Sequence, residues 1–585
     1  MEPLITRQQF AKAIGIDKVP LLDRILMQFS GLNDLNTLYS KIQHRQGIAF
    51  IDALLETQGV RYEIYPEELA RIPKTGPFVL VSNHPFGGID GLMLLKMVSE
   101  VRPDFVVMAN FLLTYIKPIS HLFVPVNPLE GHREVASSVT GMKFALKHLQ
   151  EGHALGLFPA GEVSTFYKGQ KGICDREWQK PALKLIQKSG VPVLPVYFKG
   201  ANSWSFHALG KAHPSLRTLR LPAELANRKK QAIRIRIGNP VPVRDIQSFD
   251  DIQHLGRYLR AKVYSMGPAI EQKKLSLAQI KLPVKHKPVI GSTDKEVLIA
   301  ELAGIKSRRI NTQQQFELYL APSTEIPNVL REIGRLREIT FREEGEGTNK
   351  EIDLDDFDQY YLHLFLWDTE TAQIAGAYRV GMGKDIIQKH GRKGFYTNSL
   401  FRMKDAFVPI LEKSIELGRS FIVPEYQNKR LPLFMLWRGI LSVLLSNPDY
   451  KFIIGPVSIS NAYSTVSKSL IVAFIRQHYF DYELARWVKP KRKYSLDVKT
   501  LDAAALLENS KNDMKKLDRI IDDIEPAIKS APVLLKKYIQ QNAKIIGFNI
   551  DPDFSDALDG LMILNIDHVN QETIENLKKE FNTTV

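Results

Sequence analysis

One cysteine, Cys174, stands in 585 residues. The chain can therefore form no disulfide within itself and no metal centre built from several thiolates. Long apolar runs are missing as well. The richest stretches, 92–95 with its flanks and 431–445, are interrupted by Lys96 and Arg438. Neither reaches the roughly 18 to 20 apolar residues that a bilayer span requires. Met1-Glu2-Pro3 opens without the basic, apolar, small-residue order of a secretory leader. No HExxH, P-loop or GxSxG occurs, which removes the main support for a metalloprotease, a P-loop NTPase or a serine hydrolase. No zinc finger, RNP1-type aromatic motif or basic heptad region is present, so nucleic acid would find charge but no reader. Acid is the minority charge: 64 Asp and Glu face 79 Lys and Arg, leaving +15. That surplus favours an anionic membrane surface or an acidic protein partner. The expectation is a cytoplasmic protein that binds no nucleic acid.

What is present is an ordinary globular composition, 44% hydrophobic and 24% charged. The length predicts about two to four domains. There is no internal repeat. The first 60 residues look mainly helical. From there, 78–82 (FVLVS), 154–158 (ALGLF) and 191–198 (VPVLPVYF) predict buried strands. Trp178, Ala182, Leu183, Leu185 and Ile186 recur at helical spacing, with Gly190 placed as a C-terminal cap. Strand and helix alternation predicts an α/β layer fold. Lysines 273, 274, 281, 285 and 287, with Pro283, Pro288, Gly291 and Ser292, read as a linker. A second α/β pattern follows: a hairpin from 361–367 and 374–380, helices over 409–417 and 433–445, then a helix over 511–524 and strands at 544–548 and 560–565. The reading is a helical segment 1–60, one domain 61–275, a linker 276–295, a second domain 296–570 and a tail 571–585.

Two constellations carry chemistry. In the first, Val81-Ser82-Asn83-His84-Pro85-Phe86-Gly87-Gly88-Ile89-Asp90-Gly91 leaves a strand and enters a helix. A carboxylate beside an imidazole can fix its tautomer, and the imidazole can then take a proton from an attacking hydroxyl. Downstream, Phe158-Pro159-Ala160-Gly161-Glu162 is again a strand running into a glycine turn, where backbone N–H groups can meet an anionic head group. Taken alone, His84 and Asp90 would read as a turn and a helix cap. The ordered set, completed by Phe123-Val124-Pro125-Val126-Asn127-Pro128 and the VPVLPVYF strand, resembles the glycerolipid acyltransferases that acylate lysophosphatidic acid. The resemblance spans roughly residues 60–210. It implies His84 as general base and Asp90 as its partner, with Asn83, Phe158, Pro159, Gly161 and Glu162 around the substrate. The family has four residues between His and Asp; here five intervene, and the Gly-Gly turn absorbs one. The third box reads FPAGE rather than FPEGT, and the second block lacks its arginine, with Arg133 the nearest substitute. Those departures leave the acceptor open.

In the second, Arg337-Glu338-Ile339-Thr340-Phe341 precedes Asp355-Asp356-Phe357-Asp358, then Arg379, then Glu416-Leu417-Gly418-Arg419. Glu416 and Arg419 share a face if that segment is helical. A carboxylate and a guanidinium can take up an ammonium proton and orient an acyl carbonyl; an exposed ion-pair network is the plainer alternative. The set resembles the acyl-homoserine-lactone synthases and their GNAT relatives. It is closer to the hemolysin-like branch with the N-acyltransferase of ornithine-lipid synthesis, which 416–426, 436–440 and 532–553 support. This likeness covers roughly residues 295–570. It implies Glu416 and Arg419 as catalytic, with Arg337, Asp355, Asp358 and Arg379 as substrate-binding residues. A tryptophan that lactone synthases carry after the Phe is missing, which disfavours lactone formation. The fragment Gly381-Met382-Gly383 reads as a turn, and the acidic run 343–358 as a solvated loop.

Together the two halves resemble the bifunctional ornithine-lipid synthases, with glycine or another amino acid able to replace ornithine. The resemblance implies that the second domain N-acylates an amino acid from 3-hydroxyacyl-acyl carrier protein. The first domain then acylates the new 3-hydroxyl. No metal or cofactor beyond the carrier-protein thioester is expected, and peripheral contact with the inner membrane is. The rivals are a lysophospholipid acyltransferase with a non-catalytic second domain and a hemolysin-type membrane binder.

Overall fold

The computed structural model describes residues 3–6, 8, 22–126, 135–167, 169–170, 172–212, 214–226, 232–268, 287–496, 502–508, 510, 512–528, 530–569 and 575. Asn127, Pro128, Arg133, the lysines 273–285 of the expected linker and nearly all of the tail 571–585 lie outside them. The chain forms two compact units: Met1–Leu275 with Val498–Lys529, and Ser276–Asp497 with Ser530–Val585. Both are α/β, as the sequence predicts.

The first unit is built on strands β1 (Arg61–Glu63), β2 (Phe78–Ser82), β3 (Val106–Asn110), β4 (Phe123–Val126), β5 (Ala154–Leu157), β8 (Val193–Lys199) and β9 (Ala232–Ile237). A short antiparallel pair, β6 (Thr165–Phe166) and β7 (Ile173–Cys174), stands apart. The main sheet runs β1-β9-β8-β2-β5-β3-β4 and is parallel except at β8–β9. Central β2 is apolar from Phe78 to Val81 because both its faces are covered. Phe78 and Leu80 enter one core, whereas Val79 and Val81 enter the other. Helices Leu32–Ile42 and Ile48–Thr57 bring Phe50, Ile51, Leu54 and Leu55 into the first of those cores, so the N-terminal segment forms a layer of this unit.

The sequence reading keeps 296–570 in one domain, but helices Ala503–Leu507 and Met514–Ile524 belong to the first unit. Leu517, Ile520, Ile521 and Ile524 are buried there. Asp523 pairs with Lys262, the two side chains 0% and 4% exposed. The Asp523 carbonyl accepts from Arg236 Nη2 at 2.9 Å, and Asp522 Oδ2 lies 2.9 Å from Arg71 Nη2. Helical periodicity announces an apolar face without saying which core it will meet.

The second unit adds β10 (Arg309–Gln313), β11 (Phe316–Pro322), β12 (Leu362–Asp368), β13 (Gln373–Met382), β14 (Phe401–Met403), β15 (Ser414–Ile422), β16 (Phe452–Ile459), β17 (Val488–Pro490), β18 (Lys544–Asp551) and β19 (Ala557–Asn565). Its sheet runs β10-β11-β12-β13-β15-β16-β19-β18 and is antiparallel except at β15–β16; β14 and β17 pair separately. The parallel pair is registered only over Ser414–Glu416 and Phe452–Ile454, although both strands continue. The helix expected over 409–417 is a correction: Val408–Glu412 is helical, and β15 begins at Ser414. An apolar residue every three or four positions fits either element over so short a stretch.

Candidate active sites

The first site lies where β2 and β5 end. His84 Nδ1 is 3.0 Å from Asp90 Oδ2, with the imidazole 18% exposed and the carboxylate fully buried. The Nδ1 direction is out of line for a straight hydrogen bond. Asp90 Oδ2 also accepts from the backbone N–H groups of Phe86 and Gly87, at 2.9 and 3.1 Å. Those bonds close the long turn at the start of helix Gly88–Ser99. Gly87 takes φ +82°, which a side chain would resist, and its hydrogen faces Leu221 where a Cβ would come within 2.9 Å. The five-residue interval between His and Asp is absorbed here.

The ring of Phe158 stacks on His84 with centroids 4.0 Å apart. Gly161, at φ +72°, closes the following turn by donating to Phe158 O at 3.0 Å. Gln179 fastens that turn from outside, its backbone N–H to Pro159 O and its amide to Ala160 O. The Asn83 side chain is engaged within the fold. Its amide donates to Phe198 O at 2.9 Å and accepts from Phe198 N at 2.7 Å, extending the β2–β8 ladder by one side chain. Glu162 is likewise engaged, with Arg217 at 2.7 Å, the Tyr167 hydroxyl at 2.9 Å and Arg176 at 3.5 Å.

Asp175 contacts this site although no motif announces it. Buried, and with no ion-pair partner among the described residues, it accepts from His84 N (3.2 Å), Ser164 Oγ (2.5 Å) and Trp178 Nε1 (3.3 Å), while Ser164 N donates to His84 O. Burial raises its pKa against these hydrogen bonds. It thus clamps the backbone of His84 to the glycine turn.

The second site sits on one face of the β13–β15 pair. Between Ala377↔Phe421 and Arg379↔Gly418, β15 takes three steps where β13 takes two. That bulge carries Arg419 at φ +49°. In a regular strand, positions i and i+3 point to opposite faces; one extra residue brings them back together. Glu416 and Arg419 therefore meet the same neighbours from a strand, not from the helix that their spacing suggested.

Glu416 is buried and accepts from Tyr361 OH, from Tyr396 N at 2.9 Å and from Thr397 N at 2.7 Å. Burial raises its pKa. Arg419 Nε lies 3.1 Å from Asp353 Oδ2, and its Nη1 donates to Tyr396 OH at 3.2 Å. Tyr396 OH in turn donates to Asp551 Oδ2 at 3.1 Å. Arg337 Nη1 meets Asp358 Oδ1 at 2.8 Å, and Arg379 Nη1 meets Asp355 Oδ1 at 2.5 Å and Asp358 Oδ2 at 3.3 Å. Burial would raise Asp358, but Arg337 and Arg379 overcome it and hold the carboxyl well below the usual range. All six residues expected in this half come together, as one buried charge lattice. Tyr361, Tyr396, Asp353 and Asp551 complete it, and no spacing rule points to them. Two further carboxyls are pushed up, chiefly by burial: Asp559 to about 7 and Glu346 to about 8.

Residues 20–272 match a family described as acyltransferase, and residues 336–438 one described as acetyltransferase (GNAT) domain. The glycine N(alpha)-acyltransferase of Bacteroides thetaiotaomicron is 30% identical over 299 residues, 48% of this chain and 87% of that protein. The lyso-glycine lipid O-acyltransferase of Phocaeicola vulgatus is 24% identical over 241 residues, 40% of this chain and 83% of that one. The L-ornithine N(alpha)-acyltransferase of Rhizobium meliloti is 34% identical over 100 residues, 16% of this chain and 32% of that protein. The enzyme is an acyltransferase: with its GNAT domain preceded by a second acyltransferase domain, the chain belongs to the aminolipid-acyltransferase family of the glycine N(alpha)-acyltransferases.

Proposed function

We propose that the chain makes a diacylated aminolipid in two steps, with glycine the favoured amino acid because both the N-acyl and the O-acyl relatives are named for it. The second unit transfers a 3-hydroxyacyl group from the thioester of acyl carrier protein to the α-amino group. The amine attacks the thioester carbonyl, the thiolate leaves, and the ammonium proton passes to a carboxylate of the buried lattice. The basic surplus of the chain suits an acidic carrier. In the first unit, His84 takes the proton of the new 3-hydroxyl through Nε2 while Asp90 faces Nδ1. The freed alkoxide attacks a second thioester, and the thiolate departs as the ester forms. No metal or other cofactor enters either step.

The observation that carries the reading is the His84–Asp90 pair, 3.0 Å apart with the carboxylate pinned by two backbone N–H groups. A base oriented in this way contributes about 10²–10⁴-fold to a proton transfer. The product would be delivered to the inner membrane surface by peripheral contact, which the basic surplus of the chain favours; no helix of the described residues is long and apolar enough to cross a bilayer.

Lipid mass spectrometry of a host lacking aminolipids tests the scheme, with the wild type, His84→Ala and Glu416→Ala each expressed. The wild type is expected to yield a new diacylated aminolipid, His84→Ala only its mono-N-acyl form, and Glu416→Ala neither. His84-dependent remodelling of phospholipid chains without any aminolipid would replace the scheme with a lysophospholipid acyltransferase.

A further inference from the structure

Most charge in the second site is paired internally, so the donors without partners stand out. Arg379 is fully buried. Its Nη1 serves Asp355 and Asp358, but its Nε and Nη2 have no hydrogen-bond partner among the described residues. Register fixes where these two donors lie. Arg379 pairs with Gly418 across β13 and β15, and cross-strand partners share a face. A Cβ on Gly418 would meet only Arg379, Nε at 3.9 Å and Nη2 at 4.0 Å. The missing side chain thus leaves a point beside the two bare N–H groups that no other described atom approaches within 4 Å.

Nε–H and the adjacent Nη2–H of a guanidinium are parallel and spaced to match the two oxygens of a carboxylate. The plane is held by aromatic rings, with Phe357, Tyr361 and Tyr396 centroids 5.4, 5.3 and 5.2 Å from the guanidinium carbon. Asp355 and Asp358 occupy the opposite edge, so an anion has one edge to approach.

We propose that Arg379 Nε and Nη2, with the space left by Gly418, form the subsite for the α-carboxylate of the amino acid that is acylated. This rests on the N-acyl-transfer reading above. It assigns the subsite two roles: it orients the amine by its neighbouring carboxylate, and it rejects amines that lack one, because they leave a buried cation half-satisfied.

The experiment uses the purified full chain with 3-hydroxyacyl-acyl carrier protein and compares glycine and ornithine with their carboxamides. The wild type is expected to use the free acid at least tenfold better in kcat/KM. Gly418→Ala is the informative variant, since its methyl meets Arg379 at an ordinary contact distance and should leave thermal unfolding unchanged. It is expected to raise KM for the amino acid at least tenfold and to erase the preference over the carboxamide; Arg379→Lys should erase it too. Equal use of acid and carboxamide by the wild type, or a wild-type KM in Gly418→Ala, would overturn the subsite. A lowered kcat with unchanged KM would move the donors to the thioester carbonyl and overturn it as well. Absence of N-acylation in the wild type itself would instead fail the underlying reading, and so is distinguishable.

Discussion

Glu416 and Arg419 hold the same residue at its two ends. Glu416 accepts from the backbone N–H of Tyr396 at 2.9 Å, and Arg419 donates to the Tyr396 hydroxyl at 3.2 Å. The two motif residues are therefore joined through a tyrosine that the motif does not contain, and the ring, 5.0 Å from the Arg419 guanidinium carbon, also faces Arg379.

Tyr396→Phe should preserve the ring stacking while leaving Arg419 and Asp551 one partner short. The expected outcome is a loss of N-acyl transfer of roughly 10- to 100-fold, consistent with about 1.5–3 kcal/mol for a hydrogen bond to a charged group. O-acyl transfer to a supplied lyso-lipid should be unchanged in the same preparation.

In the first unit, Asp90→Asn keeps the side-chain shape but loses the negative charge facing His84 Nδ1. kcat for O-acylation is expected to fall about 10²–10⁴-fold with KM for the lyso-lipid nearly unaltered. A variant with full kcat would reduce Asp90 to a cap for helix Gly88–Ser99.

Asp523→Ala should act at a distance from either site. It leaves Lys262 buried without its carboxylate, and removing one partner of a buried pair costs about 3–5 kcal/mol. Hydrogen exchange followed by peptide should show faster opening of β8, β9 and helix Ile252–Ser265. The strands β11–β13 should be unaffected.

His363 supplies a pH signature. Burial, with Arg337 next in effect, lowers its pKa from 6.5 to about 4. Between those values the unfolded chain binds the extra proton and the folded one does not, so stability rises with pH across that window and is lost as pH falls through it. The full difference amounts to about 3 kcal/mol at most. Urea unfolding of the second unit at several pH values should show that slope in the wild type and a flatter one in His363→Gln. Equal slopes would mean that the imidazole is protonated within the fold.

How much of this was legible depends on the length scale of the signal. Phe78–Ser82 announces a central strand because four consecutive apolar residues, Phe78 to Val81, need two covered faces. The hairpin β12–β13 is equally plain, and so is the cap at Gly190, which adopts φ +62°. His84 and Asp90 were found together because a local turn joins them. Segment 409–417 reads as one helix from sequence because Leu411 and Ile415 suit both a helix and a strand, and only the pairing of β15 with β13 and β16 decides it. Asp175, Tyr361 and Tyr396 were invisible for another reason. Each is a common residue in an unremarkable stretch, and its partner is supplied by the fold.

The return of Met514–Ile524 to the first unit bears on how the molecule can be made. Synthesis runs from the N-terminus, yet the carboxylate that pairs with Lys262 arrives 261 residues later. At about 5–20 residues per second the ribosome takes tens of seconds to cover that interval. Throughout it Lys262 lacks its carboxylate, and Arg236, already paired with Glu68, lacks the Asp523 carbonyl, while most of a second domain emerges. The first domain thus completes its core only after Ile524 has been made.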